Sequence, residues 1–111
     1  MERCELLCLD LQAAAQVRAA LDRDRTRELA AAAKILSDPT RLMVMQALAQ
    51  RELCGCDLGW VTDQSEKVVS HHLGRLRREG LIASRREGKT VFATLTDHGR
   101  ELLATIEGVA A

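Results

Sequence analysis

The sequence has almost no large aromatic side chains. Tyrosine is absent, and Trp60 and Phe92 stand alone among 111 residues. That excludes an aromatic-rich β core and favours thin helices packed closely, built from abundant alanine and leucine. No apolar run is long enough to cross a bilayer. Internal repeats and low-complexity linkers are also missing. The formal net charge is zero, which argues against indiscriminate binding to nucleic acid. Nothing reads as an enzyme: there is no phosphate loop, no nucleophile–base pair and no paired acids in an expected cleft. What remains is a chain with 47% hydrophobic residues, too apolar to be disordered. Its length fits one compact domain, whose modest core would gain from dimerisation.

The charge is unevenly spread. Residues 1–63 carry 8 basic and 10 acidic side chains, and residues 92–111 also lean acidic. Residues 64–91 carry 7 basic side chains against 3 acidic ones. One segment therefore concentrates the positive field. The opening Met1-Glu2-Arg3-Cys4-Glu5 lacks the basic-then-apolar order of a secretory signal, which predicts a cytoplasmic protein. In a reducing compartment four cysteines read first as metal ligands or redox thiols, not structural disulfides.

Periodicity predicts a helix over residues 10–22, then a second helix capped by Thr26 with Leu29, Ala32, Ala33 and Leu36 on one face. Asp38 caps a third, with Pro39 in its first turn, and Leu42, Met45 and Leu48 are its expected core residues. A short helix over 54–62 turns Leu58 and Val61 inward. Ser65 caps a strongly amphipathic helix carrying Val68, Val69, Leu73 and Leu76, and Gly80 ends it. The period then changes. Residues 82–87 and 90–95 alternate as two strands joined through Gly88-Lys89, a hairpin with a charged tip. Thr96 or Asp97 caps a last helix to about Ile106, whose Leu102, Leu103 and Ile106 want a partner. Two helices joined by a tight turn and followed by a basic hairpin are the parts of a winged helix-turn-helix, a mostly α fold with a β-hairpin wing.

The helix near residues 65–78 carries Lys67, Ser70, His71, His72 and Arg75 as candidate DNA contacts. The hairpin adds Arg85, Arg86 and Lys89. Lysine and arginine displace counterions from phosphates, and serine or histidine can bond phosphates or base edges. His72 has two readings, a DNA contact or a core hydrogen bond beneath the wing.

The cysteines fall into two pairs, Cys4 with Cys8 and Cys54 with Cys56. Thiolates suit soft or borderline ions such as Cd(II), Pb(II), Hg(II), Zn(II) or Cu(I). Gly55 permits a local bend that brings Cys54 and Cys56 together. A helix N-terminus at the second pair is expected to lower thiol pKa. Disulfide formation as a redox switch is the competing reading.

The run Ala33-Lys34-Ile35-Leu36-Ser37-Asp38-Pro39-Thr40-Arg41-Leu42 resembles the ArsR/SmtB metalloregulators. So do Val69-Ser70-His71-His72-Leu73-Gly74-Arg75-Leu76, Glu79-Gly80-Leu81, the hairpin Arg86-Glu87-Gly88-Lys89 and the box Glu52-Leu53-Cys54-Gly55-Cys56-Asp57-Leu58. The resemblance covers roughly residues 28–107. It implies a homodimeric winged-helix repressor that leaves operator DNA when an inducer binds. Cys4-Glu5-Leu6-Leu7-Cys8 is similar to the cadmium/lead sensors of the family, which implies a site of Cys4, Cys8, Cys54 and Cys56 with the pairs drawn from different protomers. Cd(II) or Pb(II) is then the inducer, with Zn(II) a further candidate. Arsenite sensors often place another cysteine three residues beyond the box, where this chain has Gly59. An arsenite- or thiol-redox-sensing repressor of the same fold is the alternative. The expected organisation is an N-terminal metal-binding tail and dimerisation helix over residues 1–25. The winged helix-turn-helix domain then runs over 26–111 with a C-terminal dimerisation helix.

Overall fold

The structure, a computed structural model, describes residues 10–110. They fall into two units divided between Ala32 and Ala33. The first holds helix α1 (Leu11–Ala20) and most of α2 (Arg23–Ile35). Asp10 caps α1 by accepting from the Ala13 amide. The helix buries none of its residues, so its Leu11 and Val17 stay in solvent. Helix α2 starts three residues before the expected Thr26. Asp22 takes the capping role by accepting from the Arg25 amide, while the Thr26 hydroxyl donates back to the Asp22 carbonyl. The ion pairs Arg25–Glu28 and Arg27–Asp24 on α2 are exposed, and such pairs contribute only about 0.2–1 kcal/mol each.

The second unit holds the core. Its elements are α3 (Pro39–Gln50), β1 (Leu53–Cys54), α4 (Gly55–Thr62), α5 (Glu66–Arg78), β2 (Ile82–Glu87), β3 (Thr90–Leu95) and α6 (Asp97–Ala110). Asp38 caps α3 through the Thr40 and Arg41 amides, with Pro39 at the first position. Helix α3 lies at the centre, packed against α4, α5, β3 and α6. Its Val44, Met45 and Leu48 are buried with Leu58, Val69 and Leu76. Each such side chain is worth about 1.5–3 kcal/mol on burial, so this cluster outweighs the exposed ion pairs of α2.

Ser65 caps α5 by accepting from the Val68 amide. Gly80 leaves the helix with φ 73°, a left-handed conformation that glycine adopts without strain. The hairpin β2–β3 runs from Ile82↔Leu95 to Glu87↔Thr90, and Gly88 turns it with φ 62°. The strands match the expected spans. A third strand was not foreseen: β1 pairs antiparallel with β3, Leu53 opposite Ala93 and Cys54 opposite Phe92, giving the order β1-β3-β2.

Two residues expected inward, Val61 and Val68, and one expected to want a partner, Leu103, are placed differently. Val61 is exposed, and Thr62 is buried in its stead, its hydroxyl donating to the Leu58 carbonyl. Val68 is also exposed. Leu103 belongs to the core of this unit instead of waiting for a partner, while Leu102 and Ile106 are half-buried against that core.

Helix α6 starts hard against the end of α5. The Thr96 hydroxyl donates to the Gly80 carbonyl and accepts from the Gly99 amide. A Cβ on Gly99 would meet the Leu81 carbonyl oxygen and Leu95 Cδ1. Backbone cannot yield there as a flexible side chain would. Gly99→Ala is therefore expected to cost about 1–3 kcal/mol through overpacking, read as a lower urea midpoint. An unchanged midpoint would refute this close approach.

Candidate nucleic-acid interface and thiol box

Helix α5 buries Val69, His72, Leu73 and Leu76, positions that share one stripe at helical spacing. Burying that stripe leaves Lys67, Ser70 and His71 exposed on the other side, with Arg75 half-buried. His72 is therefore buried within this stripe, the core side of its two readings. It sits mid-stripe between Val69 and Leu76, and its Nδ1 has no hydrogen-bond partner among the described residues. Burial pushes its pKa below the ordinary value of 6.5, with the Asp38 carboxylate pulling the other way. Asp38 is itself held below the usual carboxylate range, chiefly by the Arg41 amide it accepts from.

The wing splits its cations in the same manner. Arg86 and Lys89 are exposed. Arg85 is engaged within the chain. Its Nε donates to both Glu52 carboxylate oxygens at 2.9 and 2.8 Å, Nη2 bonds the same carboxylate, and Nη1 reaches Glu87 at 2.8 Å. Its guanidinium carbon also lies 4.7 Å from the Phe92 ring centroid, a cation–π distance. Arg85 is thus turned to the chain's own carboxylates while remaining exposed, whereas Arg86 is not. The reason is strand alternation: neighbours on β2 face opposite sides of the sheet. Glu52 is correspondingly held below its ordinary pKa by the Arg85 hydrogen bond.

Sequence reasoning reads Arg77 only as one of the cations crowding the end of this helix. Its Nε and Nη2 donate to Ser84 Oγ at 3.0 and 2.7 Å, tying α5 to β2. Between these elements lies an open cavity of about 600 Å³, with Glu66, Ser70, Arg77, Ser84, Arg85 and Arg86 on its polar side and Leu73, Val91 and Ala93 on its apolar side.

Cys54 and Cys56 are free thiols at the start of α4. Cys54 is half-buried, ends β1, and stands at the N-cap with extended backbone and no side-chain cap bond. Cys56 is exposed, and its thiol donates to the Glu66 carboxylate, at the first residue of α5. The expected lowering of thiol pKa at the helix start is overturned at Cys56. Hydrogen bonding to Glu66, then the charge of that carboxylate, pushes the thiol up. Among the described residues no group of three or more histidine, cysteine or acidic side chains could hold a metal ion. The box alone is an incomplete site of two thiols. Cys4 and Cys8 lie outside the described residues.

A helix-turn-helix of α4 and α5 beside a basic two-stranded wing defines a winged helix-turn-helix DNA-binding protein. The chain belongs to the ArsR/SmtB family of bacterial regulators and is a transcriptional repressor of that family. The description "bacterial regulatory protein, arsR family" matches residues 38–84. A transcriptional repressor SmtB homolog of Synechocystis is 37% identical over 99 residues, 88% of this chain and 75% of its own length. The cadmium resistance regulatory protein CadC of Listeria innocua is 35% identical over 92 residues, 82% of this chain and 77% of its own. A homodimeric winged helix-turn-helix DNA-binding domain from Mycobacterium bovis matches the fold with a TM-score of 0.69 at 24% identity, over 95% of this chain and 90% of that one. These relatives are regulators, not enzymes, and no helix among the described residues is long and apolar enough to cross a membrane.

The buried His72 sets a pH dependence. Because its folded pKa is lowered, the unfolded chain takes up the proton first as pH falls, so stability is full above about 6.5 and declines below it. Urea denaturation between about pH 7.5 and pH 5 is expected to show that decline in the wild type and a flatter profile in His72→Gln. Equal slopes in the two chains would contradict it.

Proposed function

We propose that the chain is a cytoplasmic, homodimeric repressor that releases operator DNA when Cd(II) or Pb(II), with Zn(II) a further candidate, binds Cys54 and Cys56 together with Cys4 and Cys8. One observation carries this reading: the box is built into both DNA-reading elements. Cys54 ends the strand that pairs with wing strand β3, and Cys56 is hydrogen-bonded to the first residue of α5. Two thiols are too few for a closed site, and a second pair completes a tetrathiolate donor set of the kind Cd(II) and Zn(II) accept. A cadmium resistance regulator among the relatives supports the choice of ion. Residues 1–25 then serve as metal-binding tail and dimerisation helix.

The DNA-facing residues in this reading are Lys67, Ser70, His71 and Arg75 on α5 with Arg86 and Lys89 on the wing. Dimerisation is supported by the apolar residues left in solvent, Leu11, Val17, Leu21 and Leu29 near the N-terminus and Val109 on α6, and by the homodimeric relative. Two recognition helices must match half-sites about one helical turn apart, so a small change of either head costs operator affinity. The β1–β3 pairing and the Glu52–Arg85 bond give a route from the box to the wing. Coupling of this kind is typically ~1–3 kcal/mol, and DNA must weaken metal binding by the same factor.

Fluorescence anisotropy on the chain's own promoter DNA, with and without Cd(II), tests the scheme. Cys54→Ser and Cys56→Ser are expected to bind DNA as the wild type does and to stay bound when Cd(II) is added. Release of either variant at the wild-type Cd(II) concentration would remove the box as sensor.

The route to the wing has its own test. Glu52→Gln is expected to keep Cd(II) stoichiometry while the Cd(II)-induced loss of DNA affinity, about 5–150-fold for coupling of the usual size, shrinks severalfold. An undiminished loss would exclude Glu52–Arg85 as the route.

A further inference from the structure

Helix α5 meets the hairpin along one stripe. Ser70, Leu73 and Arg77, at helical spacing, line the α5 side of the open cavity, and Ser84, Arg86, Val91 and Ala93 line the sheet side. Apolar packing therefore does not close the gap between this helix and the wing. A polar link crosses it. Arg77, in the last turn of α5, donates from Nε and Nη2 to Ser84 Oγ. Among the described residues no other side-chain hydrogen bond joins α5 to the hairpin. The Glu52–Arg85 bond cannot stand in for it, because Arg85 follows Ser84 on β2 and looks to the other face of the sheet. Ser84 is a firm anchor. It pairs with Ala93, which pairs in turn with Leu53, so the acceptor belongs to a row across all three strands.

We infer that Arg77 is a positioning residue for DNA binding: it sets the angle of the wing against α5 and takes no phosphate itself. This rests on the DNA-facing set proposed above, in which Arg86 and Lys89 act together with Lys67, Ser70, His71 and Arg75. The two groups of contacts lie on separate elements, and they serve one duplex only if the spacing between those elements is fixed. Ser84 stands near the root of the wing, with Arg86 next along the same face of β2. Lys89 lies five residues beyond Ser84, roughly 15 Å along the hairpin. On that arm a swing of about 10° moves the tip by roughly 3 Å, against a spread of about 0.5 Å in ordinary N–H···O distances. Arginine suits the role. Its planar fork brings two donors to one oxygen and fixes direction, where a lysine ammonium on a flexible stem would not.

Fluorescence anisotropy on the chain's own promoter DNA, repeated over a range of salt concentrations, tests the strut in the full-length protein. Ser84→Ala removes the acceptor and no charge. It is expected to weaken DNA binding about 3–10-fold, a coupling of the size that neighbouring groups show, while circular dichroism reports a folded chain. Arg77→Ala is expected to weaken binding by the same factor, and the double variant no further. Ser84→Thr keeps the hydroxyl and suits a strand, and it is expected to bind DNA as the wild type does. Arg86→Ala reports on the DNA-facing set, since loss of a phosphate contact shrinks the salt slope by about 1 per subunit. Wild-type affinity in Ser84→Ala with Arg86→Ala weakened overturns the strut and leaves the DNA-facing set standing; a lowered urea midpoint alone then marks the link as merely stabilising. Weakening in Arg77→Ala but not in Ser84→Ala, with a shallower salt slope, makes Arg77 a phosphate contact and also overturns the strut. Unchanged affinity and slope in Arg86→Ala remove the wing from the DNA-facing set, and the strut falls with it.

Discussion

Four side chains on one stripe of α5, namely Val69, His72, Leu73 and Leu76, decide which way its polar face looks. They are held by the core that α3 centres, where Val44, Met45 and Leu48 are fully enclosed. Because the stripe is buried, Lys67, Ser70 and His71 have no choice but solvent. Exposure on this helix is the complement of packing: what the core takes, solvent cannot have. His72 shows the cost of that division. An imidazole in an apolar row loses hydration without gaining a partner for Nδ1 among the described residues, and it responds by favouring its neutral form.

The wing follows the same logic with charge in place of apolar surface. Arg85 and Arg86 are adjacent and chemically identical, yet the sheet sends them to opposite sides. One closes a bidentate bond to Glu52 with a further bond to Glu87 and a ring beneath it. The other stays free for a partner. A multiply bonded arginine in a network outperforms the isolated surface pairs of α2, and it stiffens the wing at the point where β1 joins the sheet. The cationic face is thus smaller than the charge of residues 64–91 implies, and it is better fixed.

Strand β1 matters because it makes the thiol box part of the sheet. Two residues pair with β3, and the chain then turns directly into α4 with Cys54 at the junction. A perturbation at that junction has short mechanical paths to the wing through the ladder and to α5 through Glu66. Neither path requires a long relay of side chains. The Cys56–Glu66 bond also favours the protonated thiol, which a bare helix start would not.

The sequence by itself determined the helices, the hairpin and their order. Asp38 with Pro39, Ser65, Gly80 and the Gly88-Lys89 turn act on backbone groups within a few residues, so their effects are readable locally. Apolar periodicity placed Met45, Leu48, Leu58, Val69 and Leu76 in the core for the same reason. Resemblance carried the reading of the box as a metal site. The tertiary structure decided what depends on distant partners. Arg85 meets Glu52 across 33 positions, Cys56 meets Glu66 across 10, and β1 exists only because Leu53 and Cys54 find Ala93 and Phe92. A two-residue strand has no period to read, and a cation has no local mark that tells a strut from a free contact. Those assignments follow from which face each neighbour covers, and only the folded chain fixes that.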